Sequence, residues 1–521
     1  MSDVDFKFKQ KSPAERFTSR TANSMQGPMP REWLLSNGSV LRKFDPEMIK
    51  TGLKTLRPDN MRLGIVSRTY PGNWDKTEKW YGTEYRFEKI EPSLMKEFEQ
   101  AAALSPEERI PELHLPHKNE FIPNQLDVEK KDIAKTALAP RLLRHDLKAR
   151  TWWKKDDTFW VPRANVVALL KNPIVHANAE NAVKARLFAA LVRDALEEYS
   201  YDAELAGLQY GVTVDNRGLL LEVSGYNDKL ALLLKHVATT MRDMEIKEDR
   251  FEIVRERLTR SYYNKQFEAP YLQFRSYFSW LMSEKAYPLE ELSEELPIAT
   301  VESVRQFQKQ LLSQMHIEVL CLGNLHKADA HQLTEEIEMT FQARPLPRDQ
   351  WPIIRSLVLP SGSNYVFNKT LKDPANVNNC VVAWSSMGDR GDPIARAKAL
   401  LMGQIGQEPG FDQLRTKEQL GYVVFSGYRP HLTSVGHWVL VQSERTCDYL
   451  DGRIEAFLVK LGEILDNMTD KQFEDQKRSL VVSLLEKWQN MPEEFNSHWG
   501  QISGEYYDFG RGKRPRCCGI T

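Results

Sequence analysis

Several things are missing from this 521-residue sequence, and each absence narrows its chemistry. Cysteine is scarce: five are present, and Cys321, Cys380 and Cys447 stand singly, so no disulfide framework is expected. Isolated thiols of this kind read as small buried hydrophobes in a reducing cytosol, which predicts a cytoplasmic protein. An excess of charge is missing too, since 71 basic residues against 72 acidic ones leave a net charge of −1. No global field then draws nucleic acid or an anionic membrane, and neither is expected as a partner. No apolar run approaches the roughly 20 residues of a membrane span. The opening Met1-Ser2-Asp3-Val4-Asp5-Phe6-Lys7 has no apolar signal core.

Catalytic signatures are equally absent. None of the 11 histidines sits in a His-Glu-x-x-His or His-x-x-Glu-His order. Those spacings place two imidazoles on one helix face toward one tetrahedral ion, with a Glu to activate its water. The nearest approaches are His114 with His117, interrupted by Pro116, and His326 with His331, five residues apart. Neither pair makes a helix-face metal site, so no zinc ligand is expected here. There is no Gly-x-Ser-x-Gly elbow and no phosphate-cradling loop. Acidic runs such as Glu290-Glu291-Leu292-Ser293-Glu294-Glu295 read as solvated helix faces.

What is present is a repeat. Glu204-Leu205-Ala206-Gly207-Leu208 and Glu418-Gln419-Leu420-Gly421-Tyr422 lie 214 residues apart (204 to 418), each leading into a strand pattern, a second strand and a long helical pattern. Phe251-Glu252 with Arg255 and Leu258 matches Phe473-Glu474 with Lys477 and Leu480. The first copy closes with a helix (301–312) and a strand (317–322) ending in Gly323-Asn324; the second is expected to lack that ending. The same ending stands alone near the start, as a helix over 46–56 followed by a strand at 61–67. Stretches 106–123 and 344–360, rich in proline and charge, read as linkers. Helices mixed with hairpin-joined strands predict an α+β class, each sheet mixed or antiparallel with helices packed on it. A sheet without its closing strand would expose an edge. The tail from Arg511 to Thr521 is basic and has no amphipathic period, and it reads as either a recognition tail or unmatched sequence.

One segment concentrates chemistry: Phe411-Asp412-Gln413-Leu414-Arg415-Thr416-Lys417-Glu418-Gln419-Leu420-Gly421-Tyr422-Val423-Val424-Phe425. An upstream helix capped by Asp392, with Pro393 at its first position, should end at Pro409-Gly410. A short helix would then hold Leu414 and Glu418, and Gly421 would turn the chain into a strand with Tyr422 and Val424 on one face. Two readings stand at this point. Arg415 and Tyr422 converge as donors for a peptide carbonyl or a developing oxyanion. Alternatively Arg415 pairs with Glu418 along the helix and Tyr422 packs in the core.

Leu414-Arg415-Thr416-Lys417-Glu418-Gln419-Leu420-Gly421-Tyr422 resembles the signature of the fourth domain of the insulin-degrading-enzyme (insulysin) family of zinc metallopeptidases, including its fungal a-pheromone-processing branch. Trp80-Tyr81-Gly82-Thr83-Glu84-Tyr85, Asn119-Glu120-Phe121-Ile122-Pro123, Ala203 to Leu208, Gly225-Tyr226-Asn227-Asp228-Lys229 and Asn378-Asn379-Cys380 follow in family order. The resemblance implies half of a clamshell of repeated metallopeptidase-type domains. By it, residues 1–90 end the second domain, 91–135 link the halves, 136–345 form the third domain, 346–510 form a shortened fourth, and 511–521 stay unmatched. It implies a zinc metalloendopeptidase acting on short peptides such as pheromone precursors. Zinc belongs to the complete family enzyme, held by a His-x-x-Glu-His half that this sequence does not contain. The chain alone is then expected to be inactive, and its partners are short peptides, a catalytic N-terminal half or separate zinc-bearing chain, and the homodimer typical of the family. A non-catalytic peptide-binding subunit is the alternative. In the family, the residues matching Arg415 and Tyr422 reach the bound peptide. The loop matching its polyanion site, 486–491, offers Lys487 and no arginine.

Overall fold

The structure is a computed structural model that describes residues 1–36, 39–105, 107–110, 117–131 and 135–510. It divides into two compact units, one of Ser2–Phe6 and Ser24–Asn119, the other of Met1, Lys7–Asn23 and the chain from Glu120 onward.

In the smaller unit, Asp45 accepts a hydrogen bond from Met48 N and starts a helix over Pro46–Leu53. Strands β1 (Lys76–Thr77) and β2 (Glu84–Tyr85) form a two-residue ladder, and a second helix covers Pro92–Ala103. The helix expected to reach residue 56 stops at Leu53, and residues 61–67 form no strand. A strand exists only by pairing, and no described strand lies beside that segment. No described apolar side chain of this unit is buried.

The larger unit holds two sheets. The first contains β3 (Arg141–His145), β4 (Ala149–Lys155), β5 (Arg163–Lys171), β6 (Gln209–Asp215), β7 (Gly218–Tyr226), β8 (Gln314–Gly323) and β9 (Arg344–Pro345). Their order is β3-β4-β8-β5-β7-β6, with β9 beside β8; β4–β8 and β8–β9 are parallel and the other pairs antiparallel. The near-continuous apolar run of β8 fits a strand buried on both faces. One face packs on the helices Ala179–Leu205, Leu230–Asp243 and Lys327–Phe341, among others, through Phe188, Leu191, Val237 and Ile337. Across the other lies the helix Met491–Ser503, whose Met491, Phe495 and Ile502 meet Trp152, Val167, Leu320 and Leu322. Two buried lysines on this face are matched by buried carboxylates: Lys154 to Glu494 at 3.0 Å and Lys171 to Glu318 at 2.8 Å. Unpaired, charges so deep would be prohibitively costly.

The second sheet is antiparallel, in the order β10 (Asn379–Asp389), β12 (Ser434–Ser443), β11 (Val423–His431). Its core face receives the helices Pro393–Gly410 and Cys447–Asp466 through Ile405, Leu450, Ile454 and Phe457. The helix Pro270–Met282 covers the opposite face, where Phe274 and Phe278 meet Trp438 and Trp384. The mixed α+β class expected from sequence is the one observed, with both parallel and antiparallel pairs.

The 214-residue repeat is visible in the coordinates. Asn178 and Asp392 cap equivalent helices through their side chains, and β6 and β11 begin at equivalent positions, Gln209 and Val423. The order β5-β7-β6 repeats as β10-β12-β11. Two expectations need correction. Pro409 does not end its helix, which runs straight on into a π-helical turn over Phe411–Lys417. Proline removes one N–H and crowds the carbonyl four residues back, and a widened turn relieves that locally. Cys447 is exposed at the start of its helix, unlike Cys321, which is fully buried. Among the described residues no helix is long and apolar enough to cross a membrane.

Candidate substrate-binding site

The loop carrying Arg415 and Tyr422 is clamped at four points. Leu414 is fully buried against the helix Cys447–Asp466 and its neighbours. The wide turn closes through Glu418 N to Gln413 O at 2.9 Å and Leu420 N to Leu414 O at 3.1 Å. Glu418 accepts two hydrogen bonds from Arg453, at 2.6 and 2.7 Å, and one from Gln413 at 3.1 Å. The Arg453 hydrogen bond is the main reason that the Glu418 carboxyl lies below its ordinary range. At Gly421 the backbone runs so close to Gln442 that a Cβ would collide with the Gln442 carbonyl oxygen. Only glycine fits there, and it turns the chain onto β11.

This frame leaves the chemistry outside. Tyr422 is 90% exposed, one residue ahead of β11. The Arg415 guanidinium lies 5.0 Å from the Phe411 ring centre and 5.2 Å from that of Tyr422. A guanidinium against aromatic rings keeps its N–H groups available at the rim, while the rings restrict where it points. The alternative in which Arg415 pairs with Glu418 is not what forms, because Arg453 occupies that carboxylate. Nor does Tyr422 pack in the core; the turn at Gly421 carries it outward. Val424 faces the core and Phe425 lies on the outer face, stacked with Trp438 at 6.0 Å.

The sequence reading had no place for two contributors. Phe411 is four residues from Arg415, a spacing that already hints at contact. Arg453 is 35 residues from Glu418 and left no local signal. The remaining candidates fall elsewhere. Lys487 is exposed in the loop between the helices Asp470–Leu484 and Met491–Ser503. His326 caps the helix Lys327–Phe341, where its N–H donates to Asp329 at 2.7 Å, and His331 lies within that helix. His117 is exposed, while His114 and the basic tail 511–521 lie outside the described residues. Among the described residues no three His, Cys, Asp or Glu side chains gather into a metal site.

Two α+β modules related by the repeat, with the Arg415–Tyr422 pair at the surface of the second, are what the geometry gives. A sequence profile described as the middle or third domain of peptidase M16 matches residues 6–295. The chain therefore belongs to the M16 peptidase family, a family of zinc metallopeptidases. A second profile, described as the C-terminal lobe domain 4 of PqqF-like PQQ synthase, matches residues 401–499 and so covers the candidate site. The chain is 34% identical to the insulin-degrading enzyme of Homo sapiens over 515 residues, which is 98% of this chain and 50% of that protein. It is 33% identical to the A-factor-processing enzyme of Saccharomyces cerevisiae over 516 residues, 98% of this chain and 49% of that protein. The chain thus spans about half the length of the curated relatives it matches. Pitrilysin shares the fold at a TM-score of 0.77 and 22% identity, over all of this chain and 54% of that one.

Proposed function

We propose that this chain is the substrate-enclosing, non-zinc half of a zinc metalloendopeptidase that degrades or processes short, flexible peptides such as pheromone precursors. On this reading residues 1–90 end a second domain, 91–135 link the halves, 136–345 are the third domain and 346–510 the fourth. The observation that carries it is the Arg415–Tyr422 stack, solvent-facing on a loop fixed by Glu418–Arg453 and Gly421. A rigid loop that spends a carboxylate, an arginine and a glycine to hold two donors outward suits a ligand from outside. The guanidinium and phenol donate hydrogen bonds to the carbonyl of an enclosed peptide as negative charge develops on its oxygen. The zinc-binding half comes from elsewhere, and the chain by itself is inactive. Lys487 alone is too little charge for a polyanion site.

The test mixes purified chain with a separately purified zinc-bearing half of an M16 peptidase and follows a quenched fluorogenic peptide. Chelator-sensitive cleavage should appear in the mixture and not with the chain plus zinc. Cleavage by the chain alone would overturn the inactive-half reading. In the mixture Arg415→Ala should cost about 10²-fold or more in kcat, and an unchanged rate would remove Arg415 from the site.

A further inference from the structure

Arg144, Arg217 and Arg453 are each partly or wholly buried, and each is matched to a carboxylate: Glu338 at 2.8 Å, Asp215 at 2.9 Å and Glu418 at 2.6 Å. Arg429 breaks that pattern. It stands on β11, half-buried under the helix Pro270–Met282, in a box of rings. Its guanidinium lies 4.4 Å from the ring centre of Trp438, 5.3 Å from that of Phe278 and 5.5 Å from that of Phe274. Among the described residues no carboxylate pairs with it, and its buried Nε has no hydrogen-bond partner.

The charge that does reach Arg429 is another cation. Arg275 follows Phe274 on the covering helix, is exposed, and has no ion pair among the described residues either. Burial first, and then the Arg275 charge, pull the Arg429 guanidinium below its ordinary value. A partly desolvated cation facing a second cation costs the fold stability. The rings offset part of that cost through the flat faces of the guanidinium. They leave its in-plane N–H groups unspent. What the arrangement lacks is an anion with two oxygens.

The place of this box along the strand matters. Arg429 follows Tyr422 by seven residues, about 23 Å along an extended chain. Phe425 lies between them, exposed and stacked on Trp438. A peptide lying along β11 would therefore meet the Arg415–Tyr422 pair at one end, an aromatic surface next, and an unmatched guanidinium at the other end.

We propose that Arg429, supported by Arg275, is a carboxylate subsite for a peptide that lies along β11 with its reacting carbonyl at Arg415 and Tyr422. This rests on the reading of the chain as a substrate-enclosing half, and it adds a preference that the reading does not contain. The guanidinium donates two parallel N–H groups to the two carboxylate oxygens, and Arg275 adds attraction from the exposed side. The substrates that fit carry an acidic side chain or a free C-terminus about six to eight residues from the scissile bond.

Isothermal titration of the full chain with three N-acetylated peptides of about ten residues, built from alanine, serine and phenylalanine, tests this. One ends in a free carboxylate, one in an amide, and one in an amide preceded by a glutamate. A carboxylate should strengthen binding at least about ten-fold over the neutral amide. If only one of the two acidic peptides gains, it names the source of the carboxylate. Arg429→Lys keeps the charge without the fork and should abolish the preference. Arg275→Gln changes an exposed side chain, so its thermal melt should match the parent while the preference falls about three-fold; it remains decisive if Arg429→Lys melts early. Equal binding of all three peptides, binding of none, or a preference that neither substitution reduces each overturns the proposal. An Arg429-dependent preference in a chain that never supports cleavage beside a zinc-bearing half sinks the peptidase-half reading instead, and leaves the carboxylate subsite standing.

Discussion

The two copies of the repeat share a cap, a helix start and a strand start, yet they diverge at two positions. Leu208 of the first copy is fully buried, whereas Tyr422, its equivalent 214 residues on, is 90% exposed. Tyr201 stands at the surface where the second copy has Arg415 against two rings. The helices leading there differ in one respect. Ala179–Leu205 is α-helical throughout, while the equivalent stretch of the second copy ends in the π turn Phe411–Lys417. Widening a turn rotates every later side chain about the helix axis, so the same spacing aims at a different target. One copy thus ends its helix with a leucine in the core, and the other with an exposed tyrosine beside an arginine. The proposed site lies where the repeat departs from itself.

That contrast breaks most easily at position 208. Leu208→Ala should cost about 2–5 kcal/mol in denaturant unfolding, as expected for an enclosed leucine, while Tyr422→Ala should stay within about 0.5 kcal/mol. Comparable losses at both would mean that Tyr422 is structural after all. Next in size are the glycines. Gly421→Ala forces a Cβ into the Gln442 carbonyl and should destabilise by about 1–3 kcal/mol with loss of the Arg415 geometry. Gly207→Ala meets a different obstacle, a φ of +79° and the Tyr226 ring at 2.8 Å. Its cost should be about 1–2 kcal/mol, since a ring yields where a backbone carbonyl does not. A reversed ranking in thermal melts would show that the second loop has slack.

Much of this architecture was legible because it rests on short-range rules. Asp392 with Pro393 announced a helix start, and alternation announced β11 and β12. Glu204 and Glu418 with their following glycines announced a repeat before any coordinate. What stayed hidden was long-range or cooperative. Nothing near Glu418 points to Arg453, and the i, i+3 rule pointed instead to Arg415. Pro409 looked like a terminator because local rules do not know that β11 holds the helix in place. Gly410 sits where a Cβ would lie 2.7 Å from that of Ser426, so helix and strand are in close contact there. Residues 61–67 carry a strand pattern but no strand, since pairing is a property of the neighbour and not of the segment.

The subtlest expected difference lies in the clamp. Glu418 has its carboxyl held below the ordinary value of 4.5, chiefly by the Arg453 hydrogen bond. A depressed carboxyl contributes stability above its unfolded-state pKa and loses it as pH falls through its folded-state pKa. Glu418→Gln should therefore be less stable than the parent near neutrality by about 1 kcal/mol, a figure kept small because the pair is partly solvated. The gap should close as pH drops below 4.5, where the parent carboxylate takes up its proton and releases Arg453. Parallel stability curves for Glu418→Gln and the parent from neutral to acid pH would show that the loop is held by Gly421, Leu414 and the turn's backbone hydrogen bonds without the Glu418–Arg453 pair. The aim of Arg415 would then owe nothing to charge.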